Sequence, residues 1–193
     1  MDITQIKNKT LEIYKETDDF VNRFPNCCKK GCSFCCHQNI QIIHSEELVI
    51  TEYLEYKVSN EIKAKIKVQL TKWLEYFNLN TPDRILEQSD IVRFEKQISA
   101  DRIPCPFLIE GNCSIYPVRP LTCRTHIVDS HPEACDKNIM RDGNPYTKHF
   151  RDFKAIELLK SAPNNTIRLL PYVFRDYFGV VIKIKGVEVF ASR

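Results

Sequence analysis

Nine cysteines carry the chemistry available to this 193-residue chain. Five of them, Cys27, Cys28, Cys32, Cys35 and Cys36, fall within the ten residues CCKKGCSFCC, and Cys105, Cys113, Cys123 and Cys135 follow about seventy residues later. Counted from Cys28, the first group reads C-x3-C-x2-C-C and the second C-x7-C-x9-C-x11-C. Short spacings let successive thiolates converge on one centre, as in zinc and iron-sulfur sites. Gly31 permits the tight turn this needs. Neighbouring side chains in extended backbone point apart, so Cys35 and Cys36 suit two centres, or one bridging thiolate, better than a single tetrahedral ion. A lone cysteine is most often a small buried hydrophobe, but five in ten residues point to metal ligation, with the two groups meeting in space.

The first thirty residues carry charges throughout (Asp2, Lys7, Glu12, Lys15, Asp18, Asp19), so no apolar leader is expected, and no later run approaches membrane-spanning length. The expectation is a soluble cytoplasmic protein, in which nine thiols do not form a disulfide framework. The formal charge of +3 is too small to indicate nucleic acid or an acidic membrane as partner. Eight thiols ionised around two zinc ions would turn it to about −1, so Lys29, Lys30, Arg102, Arg119 and Arg124, all near cysteines, read either as counter-charges or as ordinary solvated side chains. The five glycines include no G-x-G pair, which excludes a Rossmann-type cofactor loop and a P-loop. No acid-base pair or nucleophilic triad is legible.

Helical periods surround the cysteines. Ile6, Ile13 and Phe20 predict a first helix ending near Phe24-Pro25. Ser45, followed by Glu46 and Glu47, predicts an N-cap and first turn for a second. From Ser59, Ile62, Ile66, Leu70, Trp73, Leu74 and Phe77 form an apolar stripe, with Lys63, Lys65, Lys67 and Lys72 on its solvated face. Thr81-Pro82 predicts the start of another helix, to Ser99, burying Ile85, Val92 and Ile98. In PCPFLIEGNCSIYPVRPLTC, residues 107–109 and 114–116 predict a small hairpin, and Pro120 opens a short helix containing Cys123. A helix over 146–160 follows, and VVIKIKGVEVF alternates like a terminal hairpin. Phe107, Leu108, Ile115 and Tyr116 would shield the metal site, although plain core packing is the stronger reading for the aromatics. His37, His126 and His131 could replace a cysteine or stand behind one.

The triplet Cys28, Cys32 and Cys35 resembles the cluster loop of radical S-adenosylmethionine enzymes, but the surrounding sequence has little parallel-strand signal. The combination CCKKGCSFCC with CPFLIEGNCSIYPVRPLTCR resembles instead the YkgJ-type cysteine-cluster family, with its zinc- or iron-chelating CxxCxxCC domain, over about residues 27 to 135. That resemblance implies Cys28, Cys32, Cys35, Cys36, Cys105, Cys113, Cys123 and Cys135 as metal ligands, and Cys27 is extra to the pattern. The same family includes flagellin lysine methylases, which resemble longer proteins with further segments, and methylation is not carried over.

The fold expected is mainly α with small β-hairpins, a helical domain organised around a Cys-rich metal site. It forms one domain over 1–193, with a cysteine-cluster core over 27–135, a helical insert over 45–99 and a C-terminal helix and hairpin extension over 136–193. Metal ions are the expected partners, as an iron-sulfur cluster or zinc with a slight preference for iron. Three roles remain open: a metal-handling or redox module, an iron-sulfur-dependent enzyme acting on a protein or small molecule, and a structural zinc module that presents its lysine-rich helix to a protein partner. Arg119 and Arg124 either donate to sulfur or to an anionic substrate, or tie the hairpin to a carboxylate such as Glu46.

Overall fold

The computed structural model describes residues 2–28, 31–129, 131–138, 141–161 and 166–182. Its elements in chain order are α1 (Ile3–Val21), β1 (Gln41–Ile43), α2 (His44–Lys57), α3 (Asn60–Asn80), α4 (Gln88–Ala100), β2 (Leu108–Ile109), β3 (Asn112–Cys113), α5 (Leu121–Thr125), α6 (Pro132–Lys137), α7 (Pro145–Ser161), β4 (Ile167–Leu169) and α8 (Leu170–Tyr177). The chain is mainly α, as the periodicities predict, and the described residues form two small antiparallel sheets. No helix among the described residues is long and apolar enough to cross a membrane.

The α3 stripe is buried as expected, with Ser59 Oγ accepting from the Ile62 N–H at its start. Trp73 and Phe77 of α3 meet Phe94 of α4 edge-on, with centroids 5.7 and 4.9 Å apart. Phe107 meets Phe174 of α8 in the same way at 5.2 Å. Such edge contacts suit the ring quadrupoles and bury large apolar area. The buried cluster continues through Ile13 and Tyr14 of α1, Ile50 and Leu54 of α2 and Leu158 of α7.

Three boundaries differ from the sequence reading, each because a side chain caps from an unexpected place. Helix α2 begins at His44, one residue before the expected cap. The Glu46 carboxylate accepts from the Ile43 N–H at 2.9 Å and does the capping from inside the helix. Ser45 Oγ is buried without a hydrogen-bond partner among the described residues. Thr81 ends α3 instead of starting α4, because its hydroxyl donates to the Phe77 carbonyl at 2.7 Å. Helix α4 starts at Gln88, where Asp90 accepts from the Glu87 N–H and from Arg84. Ile85 is therefore 70% exposed and Val92 39% exposed, while Ile98 is buried as predicted, beside Ile91 and Phe94. In the hairpin the second strand is Asn112–Cys113, earlier than expected. Glu110 and Gly111 both take positive φ (52° and 76°), a two-residue turn whose twist matches the strands.

Strands β1 and β4 were not legible in the sequence. They pair antiparallel, Gln41 opposite Leu169 and Ile43 opposite Ile167, and bring the C-terminal half against the segment that leaves the cysteine cluster. Helix α8 packs on α3. The expected terminal hairpin lies mostly outside the described residues, and 180–182 are irregular.

One buried polar network joins the elements. Glu46, 2% exposed, accepts from Tyr14 Oη (3.1 Å), the Ile43 N–H (2.9 Å) and the Leu121 N–H (2.7 Å), tying α1 and α2 to the start of α5. Burial pushes its carboxyl above the usual range, and these donors together with Arg124 oppose that shift. Arg124, 4% exposed, donates to Asp18 Oδ2 at 2.5 Å, to the Arg119 carbonyl at 2.9 Å and to the Pro117 carbonyl, and lies 4.1 Å over the Tyr14 ring. Its carboxylate partner is thus Asp18, while Glu46 holds the backbone of the same turn. Removing the carboxylate with Glu46→Ala strands three buried donors. The expected cost is about 3 kcal/mol, a fall in Tm of roughly 10 °C in thermal denaturation followed by circular dichroism. An unchanged midpoint would contradict this role.

Candidate metal centre

The five N-terminal cysteines follow α1 in a short irregular segment. The Cys27 N–H donates to the Val128 carbonyl at 3.0 Å and the Cys28 thiol to the His126 carbonyl at 3.9 Å, so this segment lies along the residues that leave α5. Gly31 takes φ +90°, a left-handed conformation that suits glycine, and turns the chain back. Cys35 and Cys36 then sit in a 3₁₀ turn, Phe34–His37. Neither residue is in extended backbone, with Cys36 at φ −74° and ψ 15°, and the Cys36 thiol is within hydrogen-bond reach of Cys35. The backbone here therefore differs from the strand geometry assumed for this pair.

The second group arrives on three elements. The Cys105 N–H donates to the Cys36 carbonyl at 2.7 Å, the most direct link between the two groups. Gln69 of α3 fixes the same residue from behind, its amide donating to the Cys105 carbonyl at 2.6 Å and to the Leu108 carbonyl at 2.8 Å. Cys113 ends the hairpin opposite Leu108, and Cys123 sits in the middle of α5. Helix α6 carries Cys135 against the Phe34–His37 turn, and Arg102 anchors that helix through the Asp136 carboxylate (2.8 Å) and carbonyl (3.1 Å).

All nine cysteines are free thiols. Electrostatically they divide into two overlapping sets. Cys36 feels Cys35, Cys105 and Cys123, and Cys123 feels Cys35, Cys105 and Cys113. Cys28 feels Cys27, Cys32 and Cys35, and Cys135 feels Cys27, Cys32 and Cys35. Cys35 is common to both sets. Among the described residues, no group of three or more His, Cys, Asp and Glu side chains is arranged so that it could hold a metal ion.

Burial, more than any neighbour, pushes most of these thiols up: Cys28 and Cys105 to about 12, Cys113 and Cys135 above their ordinary value, and Cys123 well above it. Cys35 goes the other way, to about 7. The hydrogen bond from Cys36 is the main cause, and the positive charge of Arg119 assists against burial. Cys36, as the donor, is raised. Arg119 also favours the thiolates of Cys113 and Cys123 while its guanidinium stacks 4.3 Å from the Tyr116 ring centroid. Of the two arginines weighed for this role, Arg119 is the one that faces sulfur. Phe107 and Ile115 are fully buried, and Cys105, Cys113 and Cys123 pack against the same apolar cluster.

The histidines stand apart. His37 Nδ1 lies 3.3 Å from the Phe34 carbonyl, and His131 is exposed, 3.8 Å from Glu133. His126 is half-buried, and burial, with the charge of Arg151, lowers its pKa. Lys29 and Lys30 lie outside the described residues. Gln69 and Asp18, which position the cysteine-bearing backbone, left no local signal in the sequence because their partners are distant in the chain, whereas Glu46 stood out as a first-turn acid.

A donor set made of soft thiols, with a guanidinium to offset their charge and an apolar wall, fits zinc or iron and does not fit magnesium or calcium, which take oxygen. The sequence places the same cysteines in a known family: the CxxCxxCC family, described as a putative zinc- or iron-chelating domain, matches residues 26–142. The chain belongs to this CxxCxxCC family. No curated protein and no solved structure matches it.

Thiols raised by burial are protonated at neutral pH until a metal displaces their protons. Zinc titrated into metal-free protein at about pH 7 is therefore expected to release about three protons per ion. Its apparent affinity should rise with pH from about 7, where Cys35 ionises, toward about 12. Proton release in weakly buffered solution with an indicator dye checks this, and pH-independent binding would exclude the buried thiols as ligands.

Proposed function

We propose that this chain is a metal-thiolate module with a metal-handling or redox role, in which about eight cysteines hold two centres. An inner centre is formed by Cys36, Cys105, Cys113 and Cys123, and an outer one by Cys28, Cys32, Cys35 and Cys135; Cys35 stands next to both, and Cys27 is extra to the set. The observation that carries this reading is the hydrogen bond from the Cys105 N–H to the Cys36 carbonyl, which joins two cysteine groups far apart in sequence. The inner set, with its apolar wall, suits an iron-sulfur cluster, and the outer four thiols suit zinc. A bound cluster would supply electron transfer.

The chain's own groups have definable tasks in such a site. Arg119 favours the thiolate forms, Gln69 holds the Cys105 carbonyl in place, and Phe107 and Ile115 keep water from the inner sulfurs. Free thiols throughout are consistent with a reducing, cytoplasmic setting. An enzyme acting on a small molecule is a second reading, favoured by a polar cleft beside the cysteine segments, lined by Gln38, Asn39 and His126 among others.

Metal and acid-labile sulfide analysis with a visible spectrum, on protein purified without air, tests the assignment. Iron with matching sulfide plus one zinc is the expected composition. Cys36→Ser and Cys123→Ser should each remove the iron and leave the zinc, whereas Cys28→Ser and Cys135→Ser should do the reverse. Full occupancy in all four variants would overturn the ligand set, and loss of both metals in every variant would replace two centres by one.

A further inference from the structure

A cleft of about 380 Å³ opens between α4 and the start of α7, lined mostly by residues with polar or charged side chains. One wall carries Glu95 and Ser99, one turn apart on α4, and the other carries Lys148 and Arg151 on α7, with Arg141 just before that helix. The floor belongs to the metal module: Gln38 and Asn39 follow Cys36 by two and three residues, and Thr125 and His126 follow Cys123 by two and three. Gly143 closes the floor by close approach. A Cβ there would lie 3.3 Å from both His126 Nδ1 and the Ile127 carbonyl oxygen.

Two features distinguish this cleft from an ordinary polar surface. Ser99 is only 1% exposed and its hydroxyl has no hydrogen-bond partner among the described residues, while the Asn39 amide lies against Glu95 and, by hydrogen bonding, opposes the rise that burial causes in the pKa of that carboxyl. Buried polar groups are ordinarily satisfied, so an unpaired one on a residue that lines a cavity marks a place where a ligand atom or ordered water could be accommodated. Second, Lys148 and Arg151 are three residues apart on one helical face, and the Arg151 guanidinium is oriented by two hydrogen bonds to Asp152 Oδ1, at 2.9 and 2.7 Å. Oriented cations with amide and hydroxyl groups recognise carboxylate or phosphate oxygens. The volume falls within the range of small-molecule sites, and Glu95 and Asp142 in the same lining would repel a long polyanion.

We infer that this cleft binds a small carboxylate- or phosphate-bearing molecule, held by Lys148, Arg151 and Asn39 against both cysteine-bearing segments. The inference goes beyond the metal reading and does not depend on it, because no lining residue is one of the proposed ligands. Such a molecule would sit where its binding can be felt by Cys36 and Cys123 through Gln38 and Thr125.

Calorimetric titration of the full chain, as purified with its metal, using inorganic phosphate and citrate as separate probes, tests the site. Saturable binding of either probe is expected, weakened about tenfold in Arg151→Gln and in Lys148→Gln and severalfold in Ser99→Ala. Metal content and far-ultraviolet circular dichroism should stay unchanged. Binding of phosphate alone assigns a phosphate ligand, and binding of citrate alone a carboxylate. Lys148 is exposed, so its variant remains decisive even if Arg151→Gln folds poorly. Saturable binding of neither probe, or full affinity in both charge variants, overturns the site. Protein that lacks metal yet binds the anion would instead count against the metal reading alone.

Discussion

A carboxylate taken out of water must be held by donors or it destabilises the fold, and Glu46 is held by donors from three parts of the chain. Its oxygens cap α2 from within, take the Tyr14 hydroxyl of α1 and receive the first amide of α5. Arg124, buried beside it, binds Asp18 and two carbonyls of the turn that precedes α5. The helix bearing Cys123 has only five residues and could not hold its place by its own backbone hydrogen bonds. Its position is set by this network, and the rest of the cysteine arrangement is built outward from it.

The thiols themselves are placed under opposing forces. Burial favours their neutral forms, while Arg119 and the Cys36-to-Cys35 hydrogen bond favour charge at one chosen sulfur. A metal ion supplies the positive charge that the protein provides only in part, so binding and ionisation are coupled. The cysteine loops are pinned by backbone contacts at Cys27, Cys36 and Cys105.

The polar cleft shares its floor with the same pinned loops. The backbone that positions Cys36 continues into Gln38 and Asn39, and the backbone that positions Cys123 continues into Thr125 and His126. Thr125 is fixed in turn by α7, whose Thr147 hydroxyl donates to its carbonyl at 2.7 Å. The thiol site and the cleft are therefore two faces of one rigid junction between α4, α5 and α7.

The sequence by itself determined the helical class, the α3 core stripe from Ile66 to Phe77, the hairpin between Cys105 and Cys113, the short helix at Cys123 and the nature of the donors. These are written in local periodicity, in turn residues and in thiol spacing. Tertiary structure alone decided where helices begin when the capping group lies within the helix, as at Glu46 and Asp90. It also decided that Cys35 and Cys36 share a 3₁₀ turn, that Arg124 finds Asp18 and not Glu46, and that Gln41–Ile43 pairs with Ile167–Leu169. Each of these depends on a partner fixed by long-range packing, as Arg124 and Asp18 are 106 residues apart and Gln69 and Cys105 are 36 apart. Three-residue strands and single buried polar contacts leave no periodic trace, and their energy exists only once the partner is in place.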